Sequence, residues 1–352
     1  MAFSSHLHIG GRRVGPDEPV YVVAELSGNH LGDYARAEAL VRAAHDAGAN
    51  AVKLQTYTPD TMTIDCDGEP FRITGGTAWD GRTEYDVYRE AQTPWEWQAR
   101  LQSVAHSLKM DFFSTAFDAT SVAFLEDLHV PVHKVASFEL TDHALIRAVA
   151  ATGKPVVLST GLATLDEIEE AVNVAANAKC NELALLQCVS AYPAPPSDMR
   201  LRTIPDLASR FGVVAGLSDH TLGSVAAVAA VAVGACIIEK HITLARADGG
   251  PDGSFSTEPA EFRALVDAIR TAESALGQAR YGPSESETPL RMYRRSLFVV
   301  ENMKKGEEFT TANIRSIRPG QGLPPKRLAE VLGRHAACDI LRGTPLSDSL
   351  ID

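Results

Sequence analysis

The sequence predicts an α/β fold in which a (β/α)8 TIM barrel precedes a small β-rich module. Eight apolar runs each end on a polar residue capable of chemistry, and segments with helical periodicity lie between most of them. Strands of a closed parallel barrel are buried on both faces, and the active site lies at their C-terminal ends. The alternation extends over roughly 250 residues, which suits one barrel better than two separate domains. A doubly wound open sheet is the alternative, but no G-x-G-x-x-G segment follows the first run.

Each apolar run is assigned to one barrel strand in chain order. The predicted strands are residues 20–25, 51–55, 111–115, 132–137, 155–160, 183–187, 213–220 and 236–241. The clearest predicted helices, with apolar side chains at helical spacing, are residues 33–47, 165–178 and 259–276. Eight strands are enough for the ring to close.

The composition excludes several classes of protein. The five cysteines are scattered without a C-x-x-C pair, so we expect a cytoplasmic protein with neither a disulfide framework nor a cysteine zinc site. The N-terminus has no signal-peptide core, and the longest apolar run, residues 225–238, has the length of a core segment rather than of a membrane span. The net charge of −12, with no long basic run, argues against a nucleic-acid partner. Local lysines must therefore hold any anionic substrate.

The composition changes near residue 281, where a polar, turn-rich linker is predicted. The expected domains are a barrel at residues 1–280, a linker at 281–292 and a small module at 293–352. Within the module, a six-residue pattern that begins at Lys305 recurs 37 residues later at Arg342. The repeat predicts a β-rich module with internal pseudo-symmetry, although so short a match also arises by chance.

Histidines end the last two predicted strands. His220 closes the seventh run and His241 the eighth, and neighbouring strand ends lie about 5 Å apart. Strand alternation places Glu239 on the face of His241 and Lys240 on the opposite face. A lone histidine is more often structural, but two on adjacent ends can share one metal ion, with carboxylates supporting them.

Two lysines lie in predicted strands: Lys53 shares one face of the second strand with Gln55, and Lys134 lies with Ser137 at the end of the fourth. A lysine inside a barrel is costly to bury unless it is paired with an anion. The partner is either a carboxylate of the chain, Glu25 or Glu239, or a bound phosphate or carboxylate. Hydroxyl groups at the strand ends favour the bound anion; they are Ser114, Thr115, Ser137, Ser159, Thr160 and Ser218.

A long insertion between the second and third strands contains all three tryptophans. They are Trp79, Trp95 and Trp97, and Tyr85 and Tyr88 lie between them. Aromatic side chains in such an insertion usually pack against the barrel, but they also form walls for the apolar face of a deoxysugar. The sequence leaves both interpretations open.

Seven segments together resemble the sialic acid synthase family over essentially the whole chain. They are AELSGNH at 24–30, KLQT at 53–56, KVASFE at 134–139, STG at 159–161, GLSDHT at 216–221, EKH at 239–241 and GGPD at 249–252. The C-terminal module resembles the antifreeze-like SAF domain. Within the family, the segments most similar to the pseudaminic acid synthases are TYTPDT at 56–61, WDGR at 79–82 and TPWEW at 93–97.

The resemblance implies a transferase that condenses phosphoenolpyruvate with an open-chain N-acetylated amino sugar. The product would be a nine-carbon 2-keto acid, with phosphate released by C–O cleavage. For the pseudaminic acid synthases the acceptor is 2,4-diacetamido-2,4,6-trideoxy-L-altrose, and the N-acetylneuraminate and legionaminate synthases are the alternatives. The implied cofactor is a divalent metal ion, Mn²⁺ or Mg²⁺, and the implied assembly is a domain-swapped homodimer.

The resemblance also implies roles for individual residues. Those implied to hold phosphoenolpyruvate are Lys53, Thr115, Lys134, Ser137, Ser159, Ser190 and Ser218. His220 and His241 would bind the metal ion, and Glu25 would orient or deprotonate the water that adds at C2. Glu239 and Asp252 would support the metal ion and the water. The implied sugar contacts are Gln55, Glu139, Tyr192 and Asp252, together with Arg318 of the module, which would reach the neighbouring subunit's barrel.

Two other functions are compatible with parts of the sequence. A Schiff-base aldolase would use Lys134 as its nucleophile. A non-enzymatic ice-binding or scaffold protein would account for the C-terminal module, but it leaves the polar strand ends unexplained.

Overall fold

The computed structural model describes residues 3–74, 76 and 79–352 of the chain. Gly75, Thr77 and Ala78, which belong to the insertion that contains the tryptophans, lie outside the described residues. The chain divides into two compact units, Met1–Gly277 and Gln278–Asp352.

The first unit is a closed barrel of eight parallel strands, which confirms the predicted fold class. In order around the ring the strands are β3 (Tyr21–Glu25), β4 (Ala51–Thr56), β5 (Asp111–Ala116), β6 (His133–Val135), β7 (Val156–Ser159), β8 (Leu183–Cys188), β9 (Val214–Asp219) and β10 (Ile237–His241). Each strand lies on one of the eight predicted apolar runs. Among these strand residues only Gln55 is partly exposed, as expected for strands covered on both faces.

Helices connect the strands and cover the outside of the barrel. Those of the first unit are α1 (Tyr34–Asp46), α2 (Pro59–Met62), α3 (Glu84–Ala91), α4 (Trp95–Ser107), α5 (Ala119–Asp127), α6 (His143–Ala150), α7 (Leu165–Asn177), α8 (Thr203–Phe211), α9 (Val225–Ala232) and α10 (Pro259–Leu276). Local sequence sets their starts: Asp33 accepts a hydrogen bond from Ala35 N, and Thr164 with Glu167 forms a capping box at α7. Among the described residues, no helix combines the length and the apolar character that crossing a membrane requires.

A hairpin of two short strands, β1 (Leu7–Ile9) and β2 (Arg12–Val14), precedes the barrel. The buried Tyr21 hydroxyl donates to Asp111 Oδ2 at 2.8 Å, and Arg12 Nε lies 3.3 Å from the same oxygen. Tyr21 and Asp111 begin β3 and β5, so this network lies at the N-terminal end of the barrel. The hairpin has no counterpart among the predicted strands, because three-residue strands show no periodicity.

The second unit has its own small core around an antiparallel strand pair. The pair is β11 (Ser296–Val299) and β12 (Ile314–Ile317), and α11 (Leu328–Val331) follows it. Gly306 and Gly343 both have left-handed backbones, with φ of 80° and 89°. Three residues after each glycine, Phe309 and Leu346 are buried. The two copies of the short sequence pattern therefore make similar turns.

Candidate active site

The register of the barrel strands brings the predicted site residues to one end of the ring. Adjacent strands pair His241 with Glu25 and Glu25 with Lys53. Farther round the ring, Thr115 pairs with Lys134. Because all eight strands are parallel, their C-terminal ends share one mouth, where a barrel enzyme carries its chemistry.

Lys53 lies at the centre of a buried polar network. Its ammonium nitrogen is 2.7 Å from Glu25 Oε2 and 3.2 Å from Glu239 Oε1, and it donates to Thr115 Oγ1 at 3.0 Å. Burial lowers the pKa of Lys53, but the two carboxylates more than offset this effect, so the pKa is raised. Ser218 Oγ donates to Glu239 Oε1 at 3.2 Å. In this structure the chain's own carboxylates therefore pair with Lys53.

Lys134 has a different environment, although it is equally buried. Its ammonium group donates to Ser159 Oγ at 2.7 Å and to Val135 O at 2.8 Å. Desolvation lowers the pKa of Lys134 to about 8, because the attraction of Glu239 offsets burial only in part. Lys134 is therefore a buried cation that a bound anion would stabilise.

Ser137, Ser159 and Ser190 form a serine cradle at the ends of β6, β7 and β8. Gly161 N donates to Ser137 Oγ at 3.2 Å. A Cβ atom at Gly161 would clash with the hydroxyl oxygens of both Ser137 and Ser190. Glycine at this position is therefore required for the cradle to hold its hydroxyl groups this close to the main chain.

The two predicted histidines lie side by side. The ring centroids of His220 and His241 are 5.2 Å apart. Burial and the neighbouring positive groups hold the pKa of His241 well below its usual range. Burial also lowers the pKa of His220. The interaction with Cys188, whose Sγ lies 3.8 Å from His220 Nδ1, is the main opposing effect, and the pKa of His220 is raised overall.

The donor set fits a catalytic divalent ion. His220 Nδ1 lies 3.0 Å from the carbonyl oxygen of Val189, which only accepts, so Nδ1 carries a hydrogen, and in the neutral ring Nε2 keeps its lone pair. His241 is neutral at neutral pH, as a ligand must be. Across the described ranges, no three His, Cys, Asp or Glu side chains converge to enclose an ion. Two histidines are fewer protein ligands than the three of typical catalytic zinc sites, so water, substrate or a carboxylate would have to complete the coordination of an ion held here.

Two further carboxyl groups have raised pKa values. Burial and the charge of Glu25 raise the pKa of Asp252 to about 6, although Gly28 N donates to Asp252 Oδ2 at 3.2 Å. Burial raises the pKa of Glu139 to about 7, and Lys134 opposes the shift only in part. These groups change charge near neutral pH, a frequent property of residues in functional sites.

An aromatic wall, formed by Trp79, Tyr192 and Phe255, lies beside the histidine pair. The Tyr192 ring centroid is 4.5 Å from that of His220 and 5.0 Å from that of Phe255, and Trp79 lies 6.1 Å from Tyr192. Phe255 is also 5.2 Å from His241. Sequence analysis missed Phe255, because an isolated aromatic residue in a loop gives no periodic signal.

Three residues named in the sequence analysis do not lie among these groups or have hydroxyl groups that bond only to the chain itself. Ser114 Oγ pairs with Thr56 Oγ1 at 2.6 Å, and Thr56 in turn bonds Gln98 of α4, so Ser114 faces the helices outside the barrel. Thr160 Oγ1 donates to the carbonyl oxygen of Leu186. Arg318 lies in the second unit, immediately after β12, and is exposed.

Sequence and structure comparisons identify relatives of the chain. It is 41% identical over 333 residues to a pseudaminic acid synthase of Campylobacter jejuni, and the alignment covers 95% of this chain and 97% of that protein. A Helicobacter pylori pseudaminic acid synthase is also 41% identical, over 94% of this chain and 97% of that protein. The solved N-acetylneuraminic acid synthetase of Leptospira borgpetersenii, in complex with citrate, is 31% identical with a TM-score of 0.73, covering 82% of this chain and 96% of that one.

Family comparisons cover most of both units. The SAF domain matches residues 294–352. The NeuB family matches residues 40–281, which runs from within α1 to beyond the end of α10. This match spans well over half of the sequence, and the chain therefore belongs to the NeuB family.

Proposed function

We propose that the chain condenses phosphoenolpyruvate with 2,4-diacetamido-2,4,6-trideoxy-L-altrose to give pseudaminic acid and phosphate. The observation that carries this proposal is the presence of two buried lysines, a serine cradle and a neutral histidine at one barrel mouth. The two relatives named as pseudaminic acid synthases align over nearly the whole chain, which supports the choice of acceptor.

Phosphoenolpyruvate is a polyanion, and the lysines and hydroxyl groups suit its two acidic ends. Lys134 lacks an ion-pair partner within hydrogen-bonding distance among the described residues and already donates to Ser159, so an anion in the serine cradle would complete its environment. Lys53 is held between two carboxylates and donates to Thr115, and these contacts fix the position of its ammonium group. Preorganised charges of this kind bind strongly because they need no reorganisation when the substrate arrives.

A divalent ion held by His220 and His241 would supply Lewis acidity toward the acceptor's aldehyde. The C3 carbon of phosphoenolpyruvate forms the new carbon–carbon bond with the aldehyde carbon, and water adds at C2. In this proposal Glu25 accepts a proton of that water, and the contacts of its carboxylate with Lys53 and with the main chain of Ser27 support the role by fixing its position. The former aldehyde oxygen takes up a proton and becomes a hydroxyl group. The bond from C2 to the phosphate oxygen then breaks as the C2 hydroxyl loses its proton, leaving a ketone and free phosphate.

The aromatic wall suits the distal part of a deoxysugar. The Tyr192 ring packs against both His220 and Trp79. An open-chain sugar whose aldehyde is at the histidines would extend its other carbons along this wall. The 6-methyl group of a 6-deoxy sugar would then contact apolar surface. A hydroxymethyl group in the same place would lose hydrogen bonds to water and so bind less favourably.

The test is an assay of phosphate release from phosphoenolpyruvate with a panel of acceptor sugars and added divalent ion. We expect turnover with the 6-deoxy diacetamido sugar, and transfer of an ¹⁸O label from the C2–O bridge into phosphate. His241→Ala should abolish turnover while circular dichroism stays unchanged. Release with no acceptor in the panel, or ¹⁸O retained in the keto acid, would contradict the proposal.

A Schiff-base aldolase predicts different results in the same samples. Borohydride would then trap pyruvate covalently on Lys134, and a chelator would leave the activity intact. We expect no trapping and full inhibition by the chelator.

A further inference from the structure

Ser27 lies between three groups of the candidate site. It follows β3 directly, begins a short 3-10 helix (Ser27–His30) and is 1% exposed. Its Oγ lies 2.8 Å from Glu25 Oε1, 2.9 Å from Gln55 Nε2 and 3.2 Å from His241 Nδ1. The resemblance to known families assigns Ser27 no role, and the reaction described above uses only its main chain.

The hydrogen bonds of this hydroxyl have only one consistent direction. Glu25 is paired with Lys53 and its carboxylate can only accept, and Asp252 also interacts with this hydroxyl, so the single hydrogen of Ser27 Oγ is donated to a carboxyl oxygen, with Glu25 Oε1 at 2.8 Å as the partner. The amide nitrogen of Gln55 donates to Ser27 Oγ. A hydroxyl group has one hydrogen and two acceptor sites, so toward His241 Ser27 Oγ can only accept. The hydrogen between them must therefore be on His241 Nδ1.

This direction determines which nitrogen of His241 is free. A neutral imidazole with its hydrogen on Nδ1 keeps its lone pair on Nε2. His220 has the same arrangement, because its Nδ1 faces the carbonyl oxygen of Val189. Nε2 of each ring would then be free to bind a shared ion. Hydrogen-bonding partners of metal-binding histidines commonly fix the tautomer in this way.

We propose that Ser27 is a positioning residue whose hydroxyl fixes the ring orientation and tautomer of His241 while it holds the Glu25 carboxylate. The inference rests on the proposed function, in which His241 binds the ion and Glu25 acts on the water. One hydroxyl group thus couples the orientation of the two groups. Loss of such a hydrogen-bonding partner typically lowers metal affinity or activity by about 10-fold to 100-fold.

The backbone of Ser27 determines which substitutions are informative. Its φ is 43°, in the left-handed region that favours glycine. Ser27→Ala removes only the hydroxyl and keeps the Cβ atom in the same backbone, whereas Ser27→Gly also relaxes the backbone. Agreement between the two variants would assign the effect to the hydroxyl, and Ser27→Gly is the variant expected to fold most readily. Ser254→Ala, at an exposed serine in the loop that carries Phe255, is the matched control.

The first measurement is ¹⁵N NMR of the histidine rings in metal-free full-length protein at about pH 7.5, where the ring shifts distinguish the tautomers. His241→Gln assigns the signal. We expect the Nδ1–H form of His241 in the wild type and in Ser254→Ala, and a substantial Nε2–H population in Ser27→Ala and Ser27→Gly. A wild-type His241 in the Nε2–H form, or an unchanged tautomer in both Ser27 variants, would overturn the proposal.

The second measurement is the affinity for Mn²⁺ alone, from the electron paramagnetic resonance signal of the free ion. We expect both Ser27 variants to bind about 10-fold to 100-fold more weakly than wild type and Ser254→Ala, and to have a lower kcat with little change in KM for phosphoenolpyruvate at saturating Mn²⁺. Affinities within twofold of wild type would refute the role of Ser27. Neither the tautomer nor the affinity depends on turnover, so a wild type that releases no phosphate from phosphoenolpyruvate would refute the proposed function separately.

Discussion

Lys53 and Lys134 are both buried, but the pKa of the first is raised and that of the second is lowered. The difference comes from distance to carboxylates, since Lys53 directly contacts Glu25 and Glu239, whereas the nearest polar groups of Lys134 are a hydroxyl and a carbonyl oxygen. Lys53 therefore stays charged at any pH of interest. Lys134, with a pKa of about 8, loses its charge within the range in which enzymes are assayed.

The kcat/KM for phosphoenolpyruvate should fall as the pH rises through about 8. A lysine is cationic below its pKa, so above pH 8 the free enzyme increasingly presents a neutral amine to the polyanion. The measurement is a pH profile of kcat/KM at saturating acceptor. Lys134→Arg keeps its charge and, although slower overall, should lack this decline. A decline near pH 8 that persists in Lys134→Arg would show that another group is responsible.

The strand pattern alone predicts side chains at strand ends, whereas loop residues such as Tyr192 and Asp252 are predicted only through the family resemblance, and Ser27 and Phe255 are not predicted at all. Lys53 and Lys134 lie within apolar runs and His241 ends one, and the parallel barrel brings these strands to one mouth whatever the loops do. Ser27 enters the site only because its backbone takes a left-handed turn. Phe255 enters through a loop of the β10–α10 connection. Neither conformation has a periodic signature, so the structure was needed to find them.

At the scale of elements, the insertion between β4 and β5 divides its three tryptophans between two roles. Trp95 packs against Phe124 of α5, and Trp97 packs against His30 and Tyr34. Trp79 instead donates from Nε1 to the carbonyl oxygen of Pro251 and lies near Tyr192. Packing of the insertion's tryptophans against their surroundings is therefore confirmed for Trp95 and Trp97, whereas a sugar-facing role, which Trp79 suits, stays a prediction.

Trp79→Ala should reduce the preference for the 6-deoxy diacetamido sugar over N-acetylmannosamine. Loss of an apolar wall against a methyl group removes about 1 to 3 kcal/mol of discrimination, or roughly 5-fold to 150-fold in the ratio of kcat/KM values. Competition between the two acceptors in one assay measures that ratio directly. Trp95→Ala removes an indole of the same insertion away from the wall and should leave the ratio unchanged, so an equal loss in both variants would indicate general loosening.

At the scale of the whole molecule, the two units differ in charge. The first contains 21 Lys and Arg against 36 Asp and Glu, a formal charge of −15, and the second contains 12 against 9, a formal charge of +3. Arg318 belongs to the positive unit and is exposed. Opposite net charges attract equally whether the second unit meets the barrel of its own chain or that of another, so the homodimer that the family resemblance implies stays a prediction.

Mixing Arg318→Ala chains with His241→Ala chains should restore activity if Arg318 acts on the neighbouring subunit. The segment at residues 281–290 can span roughly 30 Å when extended, enough to cross a dimer interface or to fold back. In a heterodimer, one barrel keeps an intact histidine pair and receives an intact arginine from its partner. Random exchange should recover up to about a quarter of wild-type sites, because half of the dimers are mixed and each has one complete site.

The assay is phosphate release after subunit exchange, with exchange verified by mass spectrometry of labelled chains. Each variant alone is the control and should be nearly inactive. Verified exchange without recovery would place Arg318 in its own chain's site or outside catalysis.

The division between strand ends and loops has a consequence for redesign of the enzyme. The groups proposed for phosphoenolpyruvate are anchored to barrel strands, and at Gly161 any side chain would collide with the serine cradle. The aromatic wall, by contrast, is carried by loops and by the insertion, whose sequences can change without disturbing strand register. A library confined to Trp79, Tyr192 and Phe255 would therefore explore new acceptor sugars while leaving the donor chemistry intact.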